Sequence, residues 1–382
     1  VTARAHGSWP PLGWLRVLDL TRLLPGGFAT QVLADLGADV VKIEPSGGDP
    51  LRGAAPETFA ALNRNKRSAV LDIVRPEGRS ALLDLLPEYD VVVESYRPGV
   101  LDRLGLGFTE LRRANPRTVL CSLSGFGQSG PYAGRPGHDV NFLALSGFFA
   151  VPNRPGGRVD RPGVRVGDLA GSMYAALCVV VAAQHASVTG VGQHVDVSLH
   201  EAAAAWAGPL ALPALNLDDP ADSPVLTGDN DVFTTRDGSR LSFATFEDKF
   251  WRAFRDRLAD EFPALTTDAY DRRADRTRHK DAVSALLAEV FAARDLTWWA
   301  KVLGELDVPW APVYETPQDI VDDPHVRARN LVATVPGGPD EQRWHQVRFP
   351  VLFDAGLDSH RAPAPALGEH TAEVLAPTGP RS

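Results

Sequence analysis

Short β-branched runs alternate with stretches of helical periodicity through the first half of the chain. Leu15-Arg16-Val17-Leu18-Asp19-Leu20 has the pattern of a strand, Gly26-Gly27 that of a turn into a helix over 28–36, and Asp39-Val40-Val41-Lys42-Ile43-Glu44 that of the next strand. Strand, helix and strand in this order predict a βαβ unit. The alternation continues with strands over 68–73, 90–94 and 118–123 and a helix over 76–86. It predicts an α/β fold: a Rossmann-like, open parallel sheet with its ligand loops at the carboxyl ends of the strands. Beyond Pro209 the chain becomes proline-punctuated and changes texture, and Pro309, Pro312 and Pro317 mark a second change. The predicted division is a large domain over 1–210, a smaller α+β domain over 211–315, and a return segment over 316–382 that packs on the large domain.

Composition narrows the possible partners. The 382 residues carry a formal charge of -9 with Lys and Arg dispersed, which argues against nucleic acid or an anionic membrane as the main partner. Two cysteines, Cys121 and Cys178, each in an apolar run, supply neither a disulfide framework nor a cysteine metal set, and a reducing cytoplasm is the expected location. No segment reads as a signal peptide. The most apolar run, 170–186, begins after Asp168 and includes Ser172 and Gln184, so it predicts a buried helix and not a membrane span.

Candidate chemistry concentrates at two predicted helix starts. Gly137-His138-Asp139 precedes a predicted helix over 140–150, and Asp168 precedes one over 169–187. His138 is equally a turn residue and Asp168 equally an N-cap, yet a histidine and a carboxylate held ionised by a helix start together suit acid/base work. Leu24-Pro25-Gly26-Gly27-Phe28 lacks the glycine spacing of a dinucleotide site, and no Walker-type loop occurs. His194, Asp196, Ser198 and His200 alternate as on a strand without further ligands. A strand leading into a helix from Glu201 is the preferred reading there, and no metal site is expected.

Ordered motifs carry a resemblance over almost the whole chain. They are the run from Leu33-Ala34-Asp35-Leu36-Gly37 through Glu44, then Asn63-Arg64-Asn65-Lys66-Arg67-Ser68, Tyr96-Arg97-Pro98-Gly99, Ser124-Gly125-Phe126-Gly127, and Pro365-Ala366-Leu367-Gly368-Glu369-His370-Thr371. In these the chain resembles the family III CoA-transferases, a group that also contains α-methylacyl-CoA racemase. The resemblance implies an interlocked homodimer with active sites between subunits, an acyl-CoA thioester substrate, and no cofactor beyond its CoA moiety. In the transferases the position of Asp168 is a nucleophile that forms a mixed anhydride. In the racemases it is a base paired with the histidine at His138, and an acid matching Glu247 orients that histidine.

On these matches the expected activity is that of an α-methylacyl-CoA racemase exchanging an α-proton between His138 and Asp168, with CoA transfer through an Asp168 anhydride as the alternative. Phosphates call for a basic cluster, offered by Arg64, Lys66 and Arg67. By resemblance Leu71, Asp72, Ile73, Ser95, Tyr96, Arg97, Arg103, Gly137, Asp139, Asn141 and Phe142 line the CoA site. Arg97 and Arg103 are the preferred phosphate contacts, because a guanidinium presents paired donors.

Overall fold

The computed structural model describes residues 9–151, 159–217, 227–336 and 343–376. Contacts divide the chain into two units. The first comprises Val1–Ser146, Pro162–Trp206 and His325–Ser382, and the second Gly147–Arg161 and Ala207–Pro324. The segment 147–161 thus groups with the second unit, where sequence patterning had left it in the large domain.

The first unit is built on six parallel strands: β1 (Arg16–Leu20), β2 (Asp39–Glu44), β3 (Arg67–Val70), β4 (Val91–Glu94), β5 (Val119–Ser124) and β6 (His194–Ser198). Their order across the sheet is β3-β2-β1-β4-β5-β6, with Leu18 opposite Val41 on one side and Val92 on the other. The direction in which successive strands are added across the sheet reverses between β1 and β4, the kind of switch point beside which ligands bind in open α/β sheets.

Both sheet faces are covered, which is why the strands read as near-continuous apolar runs. Leu15, Val17, Val40, Val91, Val93, Val119 and Cys121 face one way, against Ala29, Leu33, Ala175, Val179 and Ala183 of the helices Leu23–Asp35 and Val166–Thr189. Leu18, Leu20, Val41, Ile43, Val92 and Leu120 face the other way, against Leu82, Leu86, Leu101 and Leu111. Residues near the C-terminus run along β3: His370 N–H donates to the Ser68 carbonyl (2.9 Å) and Val70 N–H to Thr371 Oγ1 (3.0 Å).

Several element boundaries differ from expectation. The first helix begins at Leu23, itself at φ 63°, so Gly26 and Gly27 lie inside it and form no turn. A Cβ on Gly26 would stand 2.1 Å from Thr21 Cβ; glycine is needed there for the helix to approach the end of β1. β3 stops at Val70, because β2, its partner, ends at Glu44, which turns Leu71-Asp72-Ile73 into the loop after the strand. The helix expected over 140–150 spans Asp139–Leu145 and is closed by Gly147 at φ 83°.

The second unit has an antiparallel sheet of Asn230–Thr234, Arg240–Ala244 and Trp310–Pro312. Its core is aromatic: Phe243, Trp251, Phe254, Phe291 and Trp299 are almost wholly buried. Arg276, also buried, pairs with Asp229 (2.6 Å).

Candidate active site

Two helix starts converge on one carboxylate. Asp139, the first residue of the helix Asp139–Leu145, is 1% exposed. Its Oδ1 accepts the backbone N–H groups of Gly167 (2.8 Å) and Asp168 (3.1 Å) at the start of the helix Val166–Thr189. Gly167 permits the approach, since a Cβ there would meet Asp139 Oδ1 at 3.3 Å. His138 is the N-cap of its helix and is exposed, and its backbone N–H donates to Asn141 Oδ1 (3.0 Å).

Asp168 is not the N-cap expected; Arg165 occupies that position and Asp168 lies in the first turn. Nor is its carboxylate favoured by the helix start. Burial, and then the adjacent negative charge of Asp139, push Asp168 up to about 7, with Arg165 opposing. No helix-start amide offsets this, because the N–H groups of Gly167 and Asp168 are donated to Asp139. A carboxyl balanced near neutrality is a competent nucleophile once ionised. Asp139→Asn, which keeps an amide acceptor and removes the charge, is therefore expected to move the acidic limb of the pH-rate profile to lower pH by about one unit. An unshifted limb would show that burial alone sets it.

A cavity of about 370 Å³ opens in the same unit, at the carboxyl ends of the strands. Arg22 enters it after β1, Ile43 and Pro45 from the end of β2, Leu71, Asp72, Ile73 and Val74 after β3, Tyr96 after β4, and Val100, Arg103 and Leu104 from the following turn. Five residues expected at the CoA site, Leu71, Asp72, Ile73, Tyr96 and Arg103, thus share one cavity. Ser95 stands just behind, its Oγ accepting the Arg22 N–H (3.0 Å). Arg22 was not anticipated. Its guanidinium lies 5.5 Å from the Tyr96 ring centroid, and its place two residues after a strand beside the sheet's switch point was the available signal. Ser172, one turn beyond Asp168, donates to the Pro25 carbonyl (2.7 Å). That bond ties the helix of Asp168 to the chain that leaves the cavity.

The expected basic cluster is not a phosphate site. Lys66 is fully buried, donating to Asp19 Oδ2 (3.1 Å), Thr30 Oγ1 (2.7 Å), Asn63 Oδ1 (2.9 Å) and the Gly27 carbonyl (3.1 Å). Arg64 is buried against Asp35 through two hydrogen bonds, and Arg67 binds Asp39 and Glu373. Each charge is consumed by an acid brought from another element, which sequence proximity could not show. Arg97 is exposed and lies outside the cavity lining.

Phe142 is likewise a core residue, 3% exposed and edge-on to Phe126 (5.3 Å). A Cβ on Gly125 or Gly137 would fall within 2.5 Å or 2.6 Å of its ring, so these glycines make room for an aromatic anchor. His194, Asp196 and Ser198 do lie along β6, where His194 Nε2 and Ser122 Oγ share a hydrogen bond (2.9 Å) and Asp196 accepts the Gln128 N–H. No group of three potential metal ligands occurs among the described residues. Glu247 is an exposed N-cap in the second unit.

Residues 12–371 match the profile of CoA-transferase family III. The chain is 33% identical to the succinate-glutarate CoA-transferase of Agrobacterium fabrum, over 96% of this chain and 95% of that protein. It is 32% identical to the succinyl-CoA:mesaconate CoA-transferase of Haloarcula marismortui, over 96% of each. A solved structure of Rv3272 from Mycobacterium tuberculosis superposes with a TM-score of 0.83 at 27% identity, covering 97% of this chain and 100% of that one.

These relatives overturn the racemase expectation, since both are named as transferases. The residues that had favoured it carry little weight in the structure: His138 begins a helix, as any N-cap does, and Glu247 has the same local role elsewhere. By the extent of the profile match and by its relatives, the chain belongs to CoA-transferase family III.

Proposed function

We propose that this protein is a CoA-transferase, moving CoA from an acyl-CoA to a second carboxylic acid through covalent intermediates on Asp168. The observation that carries the reading is the carboxyl of Asp168, 8% exposed, set in the first turn of its helix with its amide N–H already given to Asp139. The activities named for the relatives support it.

In the first step an Asp168 oxygen attacks the thioester carbonyl, the C–S bond breaks, and CoA leaves as thiolate from a mixed anhydride. Thiolate attack on the Asp168 carbonyl then releases the first acid and leaves an aspartyl thioester. The acceptor carboxylate reverses both steps, and CoA departs on the new acyl group. No water is consumed, so the thioester's free energy is retained.

The cavity between the ends of β1–β4 is the CoA site in this reading, and Arg22 and Arg103, both exposed, are its phosphate contacts. Replacing either by Gln is expected to raise KM for acyl-CoA about 10- to 100-fold, the worth of a charge-assisted hydrogen bond, with little change in kcat. An unchanged KM in both variants would relocate the phosphates. The reading includes a homodimer, supported by the exposed apolar face of the helix Val166–Thr189, where Leu177, Val181 and Val188 are 60%, 61% and 76% exposed; light scattering tests it.

The direct test offers the protein succinyl-CoA and a panel of isotopically labelled carboxylic acids, follows new acyl-CoA by mass spectrometry, and quenches a parallel sample with hydroxylamine. Labelled acyl-CoA together with a hydroxamate on Asp168 is the expected result. Free CoA alone, or a panel without product and without adduct, would end the reading.

A further inference from the structure

Arg165 is the N-cap of the helix that carries Asp168 three residues later. An N-cap residue and the third residue of its helix adjoin at the helix start, the pairing that capping boxes use. Arg165 is exposed, and among the described residues its side chain has no hydrogen bond or ion pair; the fold uses only its backbone, whose carbonyl accepts from Leu169 N–H (3.0 Å). Its one evident interaction is electrostatic attraction to Asp168.

That attraction changes during transfer. While Asp168 is a carboxylate, Arg165 offsets part of its charge. Once Asp168 is acylated or carries CoA, its charge is gone, and an unpaired guanidinium remains at the start of the same helix. Resting on the transferase reading, we propose that Arg165 is a specificity-determining residue that binds the distal carboxylate of a dicarboxylic acid while its other carboxylate reacts at Asp168. A guanidinium takes a carboxylate through two parallel hydrogen bonds. A short diacid, with two or three carbons between its carboxyl groups, spans about the rise of one helical turn, ~5 Å. A monocarboxylic acid of the same length leaves the guanidinium unpaired.

The test uses glutarate and pentanoate, equal in carbon number, as competing acceptors with succinyl-CoA as donor at about pH 8.5, where Asp168 is mostly ionised. Both acceptors meet the same CoA-loaded enzyme, so effects on the donor cancel in the ratio of their kcat/KM values. Wild type is expected to favour glutarate, and Arg165→Gln to lower the ratio about 10- to 100-fold, chiefly through the KM of glutarate, with Arg165→Lys intermediate. A ratio in Arg165→Gln equal to that of wild type, or a wild type that favours pentanoate, overturns the assignment while leaving the transferase reading intact. Failure of wild type to transfer CoA to any acid removes both.

Discussion

Asp168→Asn is expected to abolish CoA transfer and, at the same time, to make the folded protein more stable above neutral pH. The loss follows from chemistry: an amide cannot displace CoA from a thioester, so the fall in kcat should reach about 10⁴-fold or more, a barrier increase of about 5 kcal/mol. The gain follows from the cost of ionising a buried acid. Burial and the charge of Asp139 raise Asp168 from the usual 3.8 to about 7 in the fold. A raised folded value means the group's contribution to stability is complete below about pH 3.8 and is lost as pH climbs through about 7.

Above that range the native state holds a poorly solvated anion that the unfolded chain hydrates freely. The shift corresponds to about 4 kcal/mol at most, and residual contact with solvent reduces it to about 2 kcal/mol. Denaturant unfolding at pH 8 should therefore show Asp168→Asn more stable than wild type, with the difference vanishing near pH 4. Equal stabilities at both pH values would mean that Asp168 is solvated like an ordinary surface acid.

This cost also explains which parts of the site were legible in the sequence. The strands and the ligand side were legible because both depend on local pattern: apolar β-branched runs mark β1–β5, whereas Leu71-Asp72-Ile73, read as the end of a strand, and Tyr96 were assigned to the cavity by resemblance. Asp168 stood out because an acid opened a long apolar run. Its protonation was not legible, because it depends first on burial and then on the charge of Asp139, 29 residues earlier, neither of which local pattern shows.

The basic stretch 64–67 misled for the same physical reason. A run of cations in sequence is a cluster in space only if its side chains are left free, and here Asp35, Asp19 and Asp39 arrive from the first helix, β1 and β2 to claim them one by one. Activity proved harder to read than fold, since the transferase and racemase branches share Asp168, and the histidine and glutamate that seemed to separate them fill ordinary helix-cap positions.

Lys66→Met separates a structural from a binding role for that stretch, and a large loss of stability is the expected result. Lys66 and Asp19 are both 0% exposed. Burial alone would raise Asp19, but Lys66 and Lys42, helped by the hydroxyls of Thr21 and Thr30, hold it down at about 2. Removing the ammonium takes the Lys66 partner from that buried carboxylate, leaving it only the Thr21 and Thr30 hydrogen bonds and the attraction of Lys42, and also orphans Asn63 Oδ1. Breaking one side of a buried pair costs about 3–5 kcal/mol.

The sign with pH is fixed by the depressed folded value. Asp19 contributes stability above about pH 3.8 that is lost as pH falls through about 2, so the variant's deficit should be greatest near neutrality and shrink toward pH 3, where Asp19 can take a proton in its weakened setting. Had Lys66 bound phosphate, the variant would instead keep its unfolding midpoint and lose affinity for acyl-CoA, more so at low salt. Unfolding curves at pH 7 and pH 3, with KM for acyl-CoA measured on the folded fraction, distinguish the two. The buried network predicts a shifted midpoint with KM within about twofold of wild type, because Lys66 faces Asp19, Thr30 and Asn63 and not the cavity lined by Arg22 and Arg103.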